Sequence, residues 1–425
     1  MKRLTFKKPK LFSILKHREK ELTKEQFIKD IVAGIIVAII ALPLSVALGI
    51  SSGVTPEKGL ITAIVAGLFI SLFGGSRVQI GGPTAAFVVI VYGIIEKHGV
   101  EGLIIATLMA GIMLILMGLL NLGDLIKFIP KTITVGFTAG IAVTLFSTQV
   151  KDILGLKLSN VPSEFISKWK VYILNITSLN SWSLLLGIIS IAIIIGVSKV
   201  SKSIPGSLVA LIVVSVIAAI FTLPVSTIGT QFGEISSKIP VLQLPSMGFD
   251  KIVALIIPSI SIAFLAAIES LLSAVVADDM INKKHDSNTE LVGQGLANIF
   301  SALFGGLPAT GAIARTAANV KNGGRTPIAG VVSALILLLI MKVLMPLIKF
   351  VPLTVLGAIL IVVAYNMCEI DELKKLVVSN KFNMIEVILT FVLTVIFNLV
   401  VAILVSMIVH FVFVKVLKEE LTMSF

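Results

Sequence analysis

Charge is scarce in this chain: Asp, Glu, Lys and Arg make up 14% of 425 residues, against 56% hydrophobic residues. A soluble domain needs a far larger charged share to cover its surface, and apolar runs near twenty residues recur to the end of the chain. Both features exclude an ordinary soluble protein and point to a polytopic membrane protein. Cysteine is nearly absent, with Cys368 alone, which excludes an internal disulfide framework and a thiolate cluster for a metal. Histidine is also rare, at four residues, and His98 and His285 fall in loops without neighbours that would complete a metal site. Acidic residues are outnumbered 23 to 35 by basic ones, for a net charge of +12. The excess lies in short tails and loops beside apolar runs, the positive-inside pattern, so nucleic acid is not an expected partner. The first thirty residues contain no apolar core or cleavage site, and no removable signal peptide is expected. No nucleophile–base set or nucleotide loop stands among the spans, so an enzyme is the least expected class, and no cofactor is implied.

What is present is a long series of apolar segments. Residues 1–30 carry ten Lys/Arg and read as a basic cytoplasmic tail, in part an amphipathic helix on the lipid surface. Spans follow at 31–52, 58–74, 84–96, 102–122, 131–153, 182–199 and 205–222. After an extracellular linker, 223–250, a second set lies at 251–279, 288–304, 309–321, 327–345, 352–366, 382–398 and 399–417. The third member of each set is too short to cross about 30 Å of hydrocarbon as a helix. The expected fold is therefore all-α with 14 transmembrane segments, of which spans 3 and 10 are half-helices, and a short cytoplasmic tail at 419–425.

The two sets read as copies, 31–222 and 251–418. Leu72-Phe73-Gly74-Gly75 matches Leu303-Phe304-Gly305-Gly306, and Leu125-Ile126-Lys127-Phe128-Ile129-Pro130 matches Leu347-Ile348-Lys349-Phe350-Val351-Pro352. Seven spans separate equivalent points, an odd number, so the second copy enters the membrane upside down. Such a 7+7 inverted repeat is a transporter signature with its site at the repeat interface. With the first tail inside, about 25 of the 35 Lys/Arg fall on the cytoplasmic side, and both termini are expected in the cytoplasm.

Both short spans follow helix breakers. Gly81-Gly82-Pro83 precedes a helix expected to start near Thr84, and Gly305-Gly306-Leu307-Pro308 precedes one expected near Thr310. Broken backbone at membrane depth survives only where it is buried in protein or lines a cavity. Two helix N-termini aimed at one point offer N–H donors and positive dipole ends to an anion. The candidate substrate residues are Thr84, Ala85, Ala86 and Phe87 on one side and Thr310, Gly311, Ala312, Ile313, Ala314 and Arg315 on the other, Arg315 adding a full charge. The competing reading is that the glycines only let helices pack closely.

Glu269 lies well inside the eighth span, where a carboxyl marks a pathway by default. Ser273 follows one turn along the same face. Glu269 is a candidate proton carrier, Glu269 with Ser273 a candidate sodium site, and a Glu269–Arg315 pair that only ties helices is the structural alternative. A sodium ion tolerates a fixed cation poorly at low dielectric, so the proton is preferred. Asp278 and Asp279 read as residues of the cytoplasmic helix end.

The runs Gly82-Pro83-Thr84-Ala85-Ala86-Phe87 and Gly311 to Pro327, together with Glu269, resemble the SulP anion-permease family, in particular bacterial sulfate, bicarbonate and C4-dicarboxylate transporters. The resemblance runs from about Asp30 to about Val414. It implies a core of spans 1–4 and 8–11 moving against a gate of spans 5–7 and 12–14, with the anion between spans 3 and 10. It also places Leu44 and Leu48, beside the proline of the first span, at the site. Family members commonly carry Gln or Glu where Leu44 stands. They usually continue into a STAS domain, whereas this chain is expected to be the membrane domain without one. A homodimer in the cell's inner (plasma) membrane is implied. The expectation is a secondary transporter of a small inorganic anion or dicarboxylate, coupled to protons or, alternatively, to sodium. An exchanger, an anion channel or a nucleobase permease on the same fold are the competing readings.

Overall fold

The computed structural model describes residues 8–16, 22–124, 130–158, 160–200, 204–238, 241–242, 244–245, 248–397 and 399–423. The repeat match at 125–129 and parts of the basic tail lie outside the described residues. The described chain is almost wholly helical. Its elements are α1 Lys10–Lys16, α2 Lys24–Ser51, α3 Pro56–Phe73, β1 Gly81–Gly82, α4 Phe87–Leu119, α5 Lys131–Leu154, α6 Phe165–Leu174, α7 Ser181–Val200, α8 Gly206–Ile220 and α9 Ile228–Phe232. They continue as α10 Phe249–Ile281, α11 Ser287–Leu303, β2 Thr310–Gly311, α12 Ile313–Lys321, α13 Ile328–Ile348, α14 Leu353–Met367, α15 Ile370–Ser379, α16 Lys381–Ile396 and α17 Leu399–Met423.

Local chemistry sets the boundaries. Thr23 caps α2 by accepting from Gln26 N–H, and Asp286 caps α11 by accepting from Thr289 N–H at 2.8 Å. Pro56 occupies the first turn of α3, where a missing N–H costs nothing. Gly155, in the left-handed conformation, ends α5. A non-helical Gly99 breaks α4 into a first piece of about three turns and a longer second piece, so spans 3 and 4 meet end to end. Pro43 and Pro258 lie inside α2 and α10, each removing one helix hydrogen bond.

Among the described residues, eight helices are long and apolar enough to cross a membrane, with shorter apolar helices at Gly206–Ile220 and Val401–Val414. They pack as two groups. One is α2, α3, α4 and α10 to α13; the other is α5, α7, α8, α14, α16 and α17. Buried apolar side chains such as Leu48, Leu60, Ala85, Leu145, Leu186 and Leu356 form one cluster, and Phe87, Leu103, Leu114, Phe137, Ile262 and Leu265 form another. Helix α2, which contains the expected first span, begins at Lys24 and is capped by Thr23. Helices α6, α9 and α15 stand in stretches read from sequence as connections.

Candidate functional site

The two helix breaks meet. Gly81–Gly82 and Thr310–Gly311 pair as short antiparallel strands, with Gly81 opposite Gly311 and Gly82 opposite Thr310. This corrects the expected helix starts at Thr84 and Thr310. The glycine arms become strands because each backbone finds its ladder partner in the other, and α4 and α12 start about three residues later, at Phe87 and Ile313. The first turn of each helix still leaves N–H groups without intrahelical partners beside the crossing.

The crossing is bound on all sides by buried polar groups. Glu290 on α11 accepts from the N–H groups of Gly75 and Ser76 at 2.8 and 2.9 Å. Thr62 on α3 accepts from Leu307 N–H at 2.6 Å. Asn298 brackets Ala309, accepting from its N–H at 2.9 Å and donating to its carbonyl at 2.8 Å. Thr310 donates its hydroxyl to Ala266 O on α10 at 2.9 Å. Thr316 accepts from Ile80 N–H at 3.0 Å, and Ala312 N–H donates to Ile80 O at 2.8 Å. Apart from the Thr310 hydroxyl, which anchors β2 to α10, these bonds supply partners for backbone that the helix breaks set free.

Arg315 is 1% exposed, the largest fully buried side chain. Its Nη2 donates to Ser45 Oγ at 3.2 Å and Pro83 O at 3.4 Å. Its Nε and Nη1 are buried without partners. The guanidinium lies against Gly82, where any Cβ would overlap Nη1 and where φ is 152°. Glu269, half-buried, accepts from Thr84 Oγ1 through Oε2 at 2.7 Å. Among the described residues no ion pair joins it to Arg315. Ser273 is buried and donates to Thr316 Oγ1 at 3.4 Å.

The other expected residues divide between the two apolar clusters. Leu48 and Ala85 are buried in one, with Leu44 half-buried against it. Ala86 and Phe87 are buried in the other. Ala312 is buried, whereas Ile313 and Ala314, at the start of α12, are exposed. Gly311 is pressed against Gln79, and a Cβ there would overlap the Gln79 amide. That contact was not anticipated, nor were Ser45, Thr62, Asn298 and Thr316. A lone hydroxyl two residues after Pro43 and an amide inside an apolar helix were the available signals.

Known proteins resemble this chain over most of its length. Residues 27–390 match the model of the sulfate permease family. A putative sulfate transporter of Bacillus subtilis, YvdB, is 45% identical over 390 residues, covering 92% of this chain and 74% of that protein. The bicarbonate transporter BicA of Picosynechococcus is 33% identical over 81% of this chain and 62% of its own length. The solved transmembrane domain of a cyanobacterial BicA superposes with a TM-score of 0.83 at 31% identity, over 90% of this chain and 99% of that one. The structure of SLC26A9, at 19% identity and a TM-score of 0.84, shares the fold. The family and these relatives are transporters rather than enzymes, and the chain belongs to the sulfate permease family.

Proposed function

We propose that this chain is a secondary active transporter of a small anion of the sulfate, bicarbonate or C4-dicarboxylate class, working by alternating access with proton symport. The observation that carries the reading is Arg315, a buried guanidinium with two unpartnered donors at the crossing of two broken helices. An unpaired buried charge is costly, and an anion is the partner that relieves it. Helix N-termini beside the crossing add partial positive charge. The names of the relatives, sulfate and bicarbonate transporters, agree with that ligand class.

On this proposal the chain has fourteen spans as an inverted repeat, 31–222 and 251–418. The α2, α3, α4 and α10–α13 group moves against the α5, α7, α8, α14, α16 and α17 group. Both termini are cytoplasmic, and two copies associate in the inner membrane. The matching order in each half supports the repeat: α3 or α11, an extended arm, a strand, then a short helical piece. Glu269 is the proposed proton carrier, because a protonated carboxyl crosses the closed intermediate at less cost than a bare carboxylate. The buried charge of Arg315 favours the proton over a Glu269–Ser273 sodium site, since a fixed cation repels sodium strongly at low dielectric. In liposomes with separately imposed gradients, anion uptake should follow the proton gradient, persist without sodium, and lose its response to the proton gradient in Glu269→Gln. Uptake driven by the sodium gradient alone would overturn the proton assignment, and uptake indifferent to both gradients would indicate exchange or a channel.

A further inference from the structure

Two cavities, of about 340 and 400 Å³, lie away from Arg315, and Lys168 on α6 is the residue common to both linings. The first is enclosed by α2, α4, α5, α6 and α9; the second runs between α4, α5, α10 and α16 and reaches Ala86, next to the crossing. Lys168 is 4% exposed, sits with Nζ 5.8 Å from the centre of the Tyr92 ring, and forms no ion pair among the described residues. Tyr172, one turn along the same face of α6, also lines the first cavity, and its hydroxyl is buried without a partner. A lysine ammonium facing both cavities and, one turn on, a buried phenol hydroxyl without an acceptor form a two-donor surface.

We propose that Lys168 and Tyr172 form an anion-docking station, where a small oxyanion rests before passing to the crossing. The station deepens the anion-transport reading and rests on it. Facing charges keep the grip weak. Lys151 and Asp152 of α5 and Glu96 of α4 line the first cavity, so with Lys168 its fixed charges balance. Lys97 and His98 of α4 and Glu164 before α6 line the second. Glu96 is engaged by Ser163 N–H at 3.3 Å. A site that must pass its ion onward has to bind and release, and balanced charge suits both steps. Burial lowers the Lys168 pKa to about 8, with Glu96 partly offsetting it. Burial, with Asp152 and Tyr92 nearby, raises that of Tyr172, which remains a donor. An anion beside Lys168 favours the ammonium, so docking should draw a proton from solution near pH 8.

The test uses the full chain in liposomes, with sulfate and bicarbonate as separate probes. Lys168→Met should lower kcat/KM for the probe about fivefold, the scale of one screened ion contact, and by the same factor in both directions when no gradient is imposed, because an ion that enters through the station also leaves through it. Wild-type kcat/KM should fall above pH 8, whereas Lys168→Arg should hold a flat profile from about pH 7 to 9, since a guanidinium stays charged. In a Glu269→Gln background, where the proposed proton carrier takes up none, proton uptake on adding the probe at pH 8 should vanish when Lys168→Met is added and survive when Arg315→Met is added. An unchanged kcat/KM and pH profile in Lys168→Met would overturn the station. Should Lys168→Met fail to fold, the pH profile of Lys168→Arg decides: a wild-type-like fall above pH 8 refutes the proposal. Proton uptake without anion flux in wild type would keep the station and sink the transport reading.

Discussion

Replacing Arg315 with Met separates a binding role from a structural one, because the two roles predict opposite patterns of stability and affinity. The side chain makes two long contacts, to Ser45 Oγ at 3.2 Å and Pro83 O at 3.4 Å, and leaves Nε and Nη1 unpaired. Losing these bonds leaves Ser45 Oγ and Pro83 O without that donor, at about 1–3 kcal/mol each, while the two unsatisfied guanidinium donors carry penalties of about 1–3 kcal/mol each that the methionine removes. The terms offset, and methionine keeps most of the buried volume. The unliganded protein should therefore melt close to the wild-type temperature. Anion binding should behave differently. One charge-assisted hydrogen bond contributes about 1.5–3 kcal/mol, a factor of roughly ten to a hundred and fifty in affinity. Engagement of both free donors moves the loss to the upper end. The assay is a thermal melt in detergent across a panel of sulfate, bicarbonate and a C4-dicarboxylate, taking whichever anion raises the wild-type midpoint. In Arg315→Met that rise should disappear at the wild-type saturating concentration. Arg315→Lys keeps charge but not the fork of donors, and should recover only part of the shift. A wild-type anion shift in a well-folded Arg315→Met would remove Arg315 from the site. A large loss of melting temperature with unchanged affinity would make it a strut.

Gly311→Ala should destabilise the crossing, because the new methyl overlaps the Gln79 amide, and adding Gln79→Ala should restore part of the lost melting temperature. No rescue in the double variant would show that the Gln79 overlap is not what makes glycine necessary at 311. Asn298→Leu should cost about 2–6 kcal/mol, since it strands both the N–H and the carbonyl of Ala309 in a buried setting. Thermal melting of purified protein checks this, and a loss well under 1 kcal/mol would mean that Ala309 finds other partners.

The parts of this molecule written locally in the chain were legible, and the parts that depend on a distant partner were not. A glycine pair beside a proline disfavours helix locally, and a lone arginine or glutamate in apolar sequence advertises itself, so the two broken spans, Arg315 and Glu269 could be picked out. The pairing of Gly81–Gly82 with Thr310–Gly311 could not, because a two-residue strand exists only through its partner in the other half of the chain. That pairing delays both helices by a turn. Hydroxyl side chains show the same limit. Ser71 and Ser190 donate to the carbonyl four residues back, as a serine in an apolar helix commonly does. Ser45 looks alike in sequence yet accepts from Arg315. Thr62 does both: its proton goes to Lys58 O at 2.7 Å, which leaves its oxygen free to accept from Leu307 N–H at 2.6 Å. The arm before β2 is thus held by α3, from the first half of the chain, and the arm before β1 by Glu290 on α11, from the second. Sliding α3 past α11 would strand buried N–H groups at Leu307, Gly75 and Ser76 together, at about 1–3 kcal/mol each. A crossing tied in this way resists internal sliding, so on the proposed transport reading the motion that exposes Arg315 to one side and then the other runs between the helix groups.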